Sequence, residues 1–84
     1  MLRNQQGNID REERHHGRVT SVRGGVVDVR FPFELPRLNN LLWAGESGQI
    51  VIEVALHLNS RSVRGIALTP TQGLSRGSSV LDTG

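Results

Sequence analysis

The sequence has no cysteine and no tyrosine, and all ten of its basic residues are arginine, so lysine is absent as well. Without cysteine there is no disulfide staple, no thiolate metal site and no cysteine nucleophile. Without lysine there is no Walker A loop, because that loop needs its Lys to reach the terminal phosphates of a nucleotide. Schiff-base chemistry and lysine-dependent phosphoryl transfer are excluded for the same reason. Aromatic residues are few: Trp43, Phe31 and Phe33. The longest apolar stretch, Ile50 to Leu58, is interrupted by Glu53 and His57. A membrane-crossing helix needs about 20 apolar residues. Residues 1–16 lack the apolar central region of a signal peptide, and Asp10, Glu12 and Glu13 argue against a transit peptide. Cytoplasmic residence is the resulting expectation.

What is present suffices for one small domain. Leu, Val, Ile and Phe make up 25 of the 84 residues, about 30%, above the roughly 20% below which chains rarely build a core. Net charge is only +2, too small to mark a nucleic-acid binder by itself. Residues 1–16 show no hydrophobic period and read as a flexible charged tail, with the folded domain over 17–84. There, ten Gly beside three Ala, and many β-branched residues, point away from helix and towards short strands. Strands are expected over Gly17–Arg23 and Val26–Phe31, joined as a hairpin by Gly24-Gly25. Pro32 and Pro36 end that ladder, and Leu38–Trp43 is a short irregular or extended segment. Ile50, Ile52, Val54 and Leu56 alternate with Val51, Glu53, Ala55 and His57, so the first set is assigned to the core with Val27, Val29 and Phe31. Val63–Leu68 forms a further strand before Pro70. Short strands at this spacing define a small barrel or sandwich.

The candidate chemical residues each have an ordinary reading. His15 and His16 could ligate a metal, but zinc takes three or four ligands held by structure, and a tail does not hold them. His57 is assigned to the Glu53/Ala55 face as a solvated or interface side chain. Asp28 and Glu53 could serve general acid/base chemistry, but no spacing places them together, and solvated carboxylates on strand faces explain them. Arg18, Arg23, Arg30, Arg61, Arg64 and Arg76 invite the reading of a small OB-like barrel binding single-stranded nucleic acid. Such sites need aromatic stacking platforms, and Phe31 is assigned to the core. Trp43 is either a core plug or an interface anchor.

The runs Val26-Val27-Asp28-Val29-Arg30-Phe31, Glu53-Val54-Ala55-Leu56-His57-Leu58, Val63-Arg64-Gly65-Ile66-Ala67 and Gly73-Leu74-Ser75-Arg76-Gly77 resemble the opening of the beta subunit of rotary F-type ATP synthases. The likeness extends from Gly17 to Gly84 and favours beta over the related alpha subunit. It departs from the usual pattern at Gly24-Gly25, where a Gly-Pro is usual, and in the short connection from Phe31 to Leu35. The resemblance implies an all-β, closed six-stranded barrel. The nucleotide-binding domain, with its P-loop and catalytic carboxylate, would begin only after Asp82-Thr83-Gly84. It therefore implies no catalytic, cofactor-binding or metal-binding residue in this chain, Mg-ATP or Mg-ADP being held by the parent subunit. The implied role is assembly, in a crown of alternating alpha and beta barrels that holds the catalytic hexamer together. The partners would be neighbouring alpha-subunit barrels, with no nucleic acid and no direct membrane contact. The implied setting is cytoplasmic, peripheral to the inner membrane, with proton or sodium coupling left open. Alone, the chain would be a monomer or a weak self-associate.

Overall fold

A computed structural model describes residues 11–84. After a single helical turn, α1 (Arg11–Arg14), six strands follow: β1 (His16–Arg23), β2 (Val26–Arg30), β3 (Leu41–Ala44), β4 (Ile50–Asn59), β5 (Ser62–Ala67) and β6 (Ser79–Asp82). All neighbouring strands are antiparallel, and they close in the order β1-β2-β5-β4-β3-β6. Closure leaves no strand edge unpaired, which removes the usual route to edge-to-edge aggregation. The all-β, six-stranded barrel expected from the sequence is the observed fold.

The expected tail over residues 1–10 lies outside the described residues. Further on, the boundary moves: α1 and β1 occupy most of residues 11–16. His16 faces Leu81 in the ladder, and the Asp82 amide donates to the His15 carbonyl at 2.9 Å. The segment lacks hydrophobic period because it supplies backbone bonds rather than core side chains.

Gly24 and Gly25 connect β1 to β2 directly, with Arg23 facing Val26. Gly24 has φ +59, and Gly25 is not in the positive-φ region. Positive φ at the first central position alone is the pattern of a type II′ turn. Gly24→Val is therefore expected to lower stability by about 1–3 kcal/mol through backbone strain. Among the described residues nothing lies within 4 Å of a Cβ at either glycine, so Gly25→Val should cost much less. Urea denaturation midpoints of the two variants check this.

Inside the barrel lie Val19, Val27, Val29, Phe31, Leu42, Ala44, Ile50, Ile52, Val54, Val63, Leu74 and Val80, all buried. Two crossing connections lid the ends. Residues 31–40 run from β2 past β5 and β4 to β3. They are held where the Phe31 amide donates to the Arg61 carbonyl and where Asn39 and Asn40 exchange bonds with the Val54 backbone. Pro36 is fully buried there. At the other end, residues 68–78 pass Gly24 and Val19, and Leu74 plugs the core.

One core assignment is corrected. Leu56 is 43% exposed and faces outwards. Val54 faces Gly65 but Leu56 faces Arg64, so Ala55 is an extra residue, a β-bulge. An extra residue exchanges the two faces of everything after it. The same bulge sets His57 opposite Val63, and His57 is exposed, as expected of a solvated side chain.

Candidate interaction surface

Strand register settles which side chains share the outside of the barrel. On β1 and β2, Arg18 faces Arg30, and Arg30 faces Ser62 of β5. Arg18 donates to the Gly77 carbonyl at 3.2 Å. Among the described residues, the Arg30 side chain has neither a hydrogen-bond nor an ion-pair partner. Like charges placed directly opposite each other destabilise a sheet, so this pair is held at a cost.

One step along the barrel, Asp28 of β2 faces Arg64 of β5. Arg64 Nε and Nη2 donate to the two carboxylate oxygens at 2.8 and 3.0 Å, a bidentate fork. Asp28 is only 8% exposed. The expectation of a solvated carboxylate fails because Arg64 lies over it and replaces the water. The Arg64 hydrogen bonds hold the Asp28 carboxyl below its ordinary pKa; burial opposes this, and the charges of Arg64 and Arg23 reinforce it. A lowered folded-state pKa stabilises the barrel above the unfolded value, about 3.9, and that contribution is lost as pH falls below it. Wild type is accordingly expected to lose melting temperature more steeply than Asp28→Asn between pH 5 and pH 2.5. Thermal melts across that range check the difference.

The flank formed by β3 and β4 is of another kind. Trp43 faces Val51 on one side and Leu81 on the other, and Leu41 faces Glu53, which in turn faces Ile66. The Leu68 amide donates to the Val51 carbonyl, which extends the row on to the end of β5. Trp43 is 47% exposed and Leu68 55% exposed. Beside Trp43 is an open groove of about 420 Å³ lined by Gly45, Gly48, Leu81 and Thr83 among others. Trp43 therefore points outwards and is not a core plug. This row is the feature sequence reasoning missed. Its signal was there in β4, where Val51 and Ala55 make the supposed polar face half apolar.

The remaining candidates are dispersed. His15 Nδ1 lies 3.7 Å from Glu34, which Arg14 also approaches at 3.5 Å. His16 Nε2 and Ser79 Oγ share a hydrogen bond. His57 Nε2 donates to the Pro36 carbonyl at 2.7 Å, pinning the crossing segment. Asp28 is held by Arg64 and Glu53 accepts from Asn39, so the two carboxylates are not brought together. Arg23 donates to Ser21, and Arg61 to the Pro32 carbonyl. Arg76 lines a groove of about 640 Å³ with Arg18 and Glu46. No cluster of three or more His, Asp or Glu suited to a metal ion occurs among the described residues.

Fold and surface together define a small closed barrel with an exposed apolar row on its outer face. Residues 19–84 match the family model described as the ATP synthase alpha/beta family, beta-barrel domain, and the chain belongs to that family. It is 53% identical over 76 residues to ATP synthase subunit beta 2 of Syntrophotalea carbinolica, covering 90% of this chain and 16% of that protein. It is 51% identical over 78 residues to ATP synthase subunit beta 2 of Polaromonas naphthalenivorans, covering 93% and 16%. With ATP synthase subunit beta 2 of Albidiferax ferrireducens the identity is 57% over 68 residues, 81% of this chain and 13% of the relative. The chain thus spans about a sixth of the length of the curated relatives it matches. No helix among the described residues is long and apolar enough to cross a membrane.

Proposed function

We propose that this barrel is a non-catalytic assembly domain of an ATP synthase beta subunit, one unit in a crown of alternating alpha and beta barrels that holds the catalytic hexamer together. The observation that carries this reading is the exposed apolar row around Trp43 on a barrel whose core is already complete. Large side chains left outside a filled core serve association. Relatives named as subunits of ATP synthase support the same reading. The partners are alpha-subunit barrels, and the setting is the cytoplasmic side of the membrane that carries the complex. Nucleotide chemistry belongs to other parts of such a subunit, because a chain with no lysine offers no Walker A loop. The alternative of single-stranded nucleic-acid binding finds less support: Phe31 is buried in the core, which leaves few aromatic platforms for the base stacking that such binding needs.

In a full beta subunit carrying this barrel, deletion of residues 17–84 is expected to impair hexamer assembly more than nucleotide binding. Sedimentation measures the first and nucleotide titration the second. Normal hexamers with lost nucleotide affinity would reverse the assignment.

A further inference from the structure

Strand β6 lies between β1 and β3 and turns Ser79 and Leu81 outwards on either side of the buried Val80. Arg18 of β1 faces Ser79, and Trp43 of β3 faces Leu81. Shorter side chains between two longer ones leave a trough along β6. Its halves are the groove of about 640 Å³ beside Arg18 and the groove of about 420 Å³ beside Trp43, which share Gly45, Glu46 and Ser79. Small-molecule sites commonly occupy about 300–1,000 Å³. Tight turns form the rims. The Ser78 amide donates to the Ser75 carbonyl at 3.0 Å and Gly77 has φ +90, a type II turn that sets Arg76 at its first corner. The Gly48 amide donates to the Gly45 carbonyl at 3.2 Å, which sets Glu46 at the first corner of a second turn. Arg76 and Glu46 line the same groove without forming an ion pair, and among the described residues neither side chain has a hydrogen-bond partner.

We propose that this trough binds a small phosphate monoester of a flat ring compound, of about the size of a nucleoside monophosphate, with the ring against Trp43 and the phosphate on Arg18 and Arg76. The charges select the phosphate. Two guanidinium groups on one groove match a dianion, and Arg76 has its whole fork free to donate. Arg18 commits a donor to the Gly77 carbonyl and keeps others. Arg30, facing Arg18 across the ladder, adds positive charge beside the groove. At the other end the half-exposed indole offers a surface on which a flat ring stacks. Glu46 stands where the two halves meet. Its carboxylate repels a run of phosphates, which disfavours a nucleic-acid strand, and accepts from hydroxyl or amino groups in the middle of a ligand with one anionic end. Strands about 4.8 Å apart and a rise of about 3.3 Å per residue put the Cα atoms of Trp43 and Arg18 roughly 12 Å apart, across two strands and two residues. One ring, one linker and one phosphate fill the gap left by side chains reaching in from both ends. The site belongs to the single barrel and does not depend on the assembly reading.

The sequence holds one tryptophan, so 5-fluorotryptophan incorporation gives one fluorine resonance, at Trp43. The labelled 84-residue chain would be titrated at low salt with adenosine 5′-monophosphate as the probe, and separately with adenosine and with inorganic phosphate. The expected result is saturable binding of the monophosphate, with a dissociation constant of about 1 mM or tighter and a shift of the Trp43 resonance. Adenosine and inorganic phosphate each meet one end of the trough and should bind about tenfold more weakly or less. Arg76→Gln should weaken monophosphate binding by about tenfold or more, because it removes a charge-assisted fork. Arg37→Gln removes the same charge outside the trough, on the groove beside His15, and should leave the affinity unchanged. Arg76 has no partner in the fold, so its variant tests the phosphate end even if Arg18→Gln loses the barrel by circular dichroism. Trp43→Leu, followed by calorimetry, should bind the monophosphate no better than inorganic phosphate. Absence of saturation by about 10 mM would overturn the site. Equal affinities for the monophosphate and inorganic phosphate would overturn the place of the ring, and equal losses in Arg76→Gln and Arg37→Gln the place of the phosphate. Tighter binding of a short oligothymidylate than of the monophosphate would make a nucleic-acid strand the occupant and overturn the choice of ligand.

Discussion

Ile52→Ala is expected to lower the unfolding free energy by about 2–5 kcal/mol, a large share of what a domain of this size possesses. Ile52 is fully buried and sits in the middle of β4, facing Leu42 of β3 and Ala67 of β5. Truncation removes apolar contact and leaves a cavity that strands paired on both sides cannot collapse to fill. Glu53→Ala, one residue along and on the outer face, is expected to cost far less. Among the described residues its carboxylate accepts only from Asn39, at 3.2 Å. Chemical denaturation of the two variants decides the matter. Equal losses would mean that the inside and outside of β4 have been exchanged.

A second large effect is expected at Gly65. An ideal Cβ there would stand 2.9 Å from the Glu53 carbonyl oxygen and would also overlap the Ile52 side chain. Gly65 faces inwards opposite Val54 and Val27, so the intruding methyl has nowhere to go. Gly65→Ala is expected to destabilise the barrel by about 1–3 kcal/mol or more, although alanine is ordinarily the better residue in regular structure. The double variant Gly65→Ala/Ile52→Ala should lose less than the sum of the two single losses, because Ile52→Ala removes the Cγ2 that the new methyl meets. Thermal or urea unfolding of the single and double variants measures the coupling. Independent, additive losses would show that the two residues do not meet.

Much of the fold was legible because it depends on near neighbours in the chain. The alternation Ile50-Ile52-Val54 and the pair Val27 and Val29 identified core faces, and Gly24-Gly25 identified the hairpin with its positive φ. β6 was less legible: four residues, Ser79–Asp82, carry one buried apolar side chain, too few for a period. The candidate surface was hardly legible at all. Leu41, Trp43, Val51, Leu68 and Leu81 come from three different strands and the residue just past β5, and form a row only through pairing. No window of sequence contains that row.

By itself the sequence determined the all-β class, the absence of a lysine-dependent nucleotide loop, the first hairpin and the core face of β4 as far as Val54. Those properties follow from composition and from a period of two residues, which is local. Tertiary structure decided the rest. The bulge at Ala55 turned Leu56 outwards, and Arg64, brought beside Asp28 across β2 and β5, converted an expected solvated carboxylate into a covered ion pair. Closure in the order β1-β2-β5-β4-β3-β6 set Leu81 of β6 beside Trp43 of β3. Bulges, register partners and strand order are properties of pairs of segments distant along the chain, and they acquire definite values only when the barrel closes.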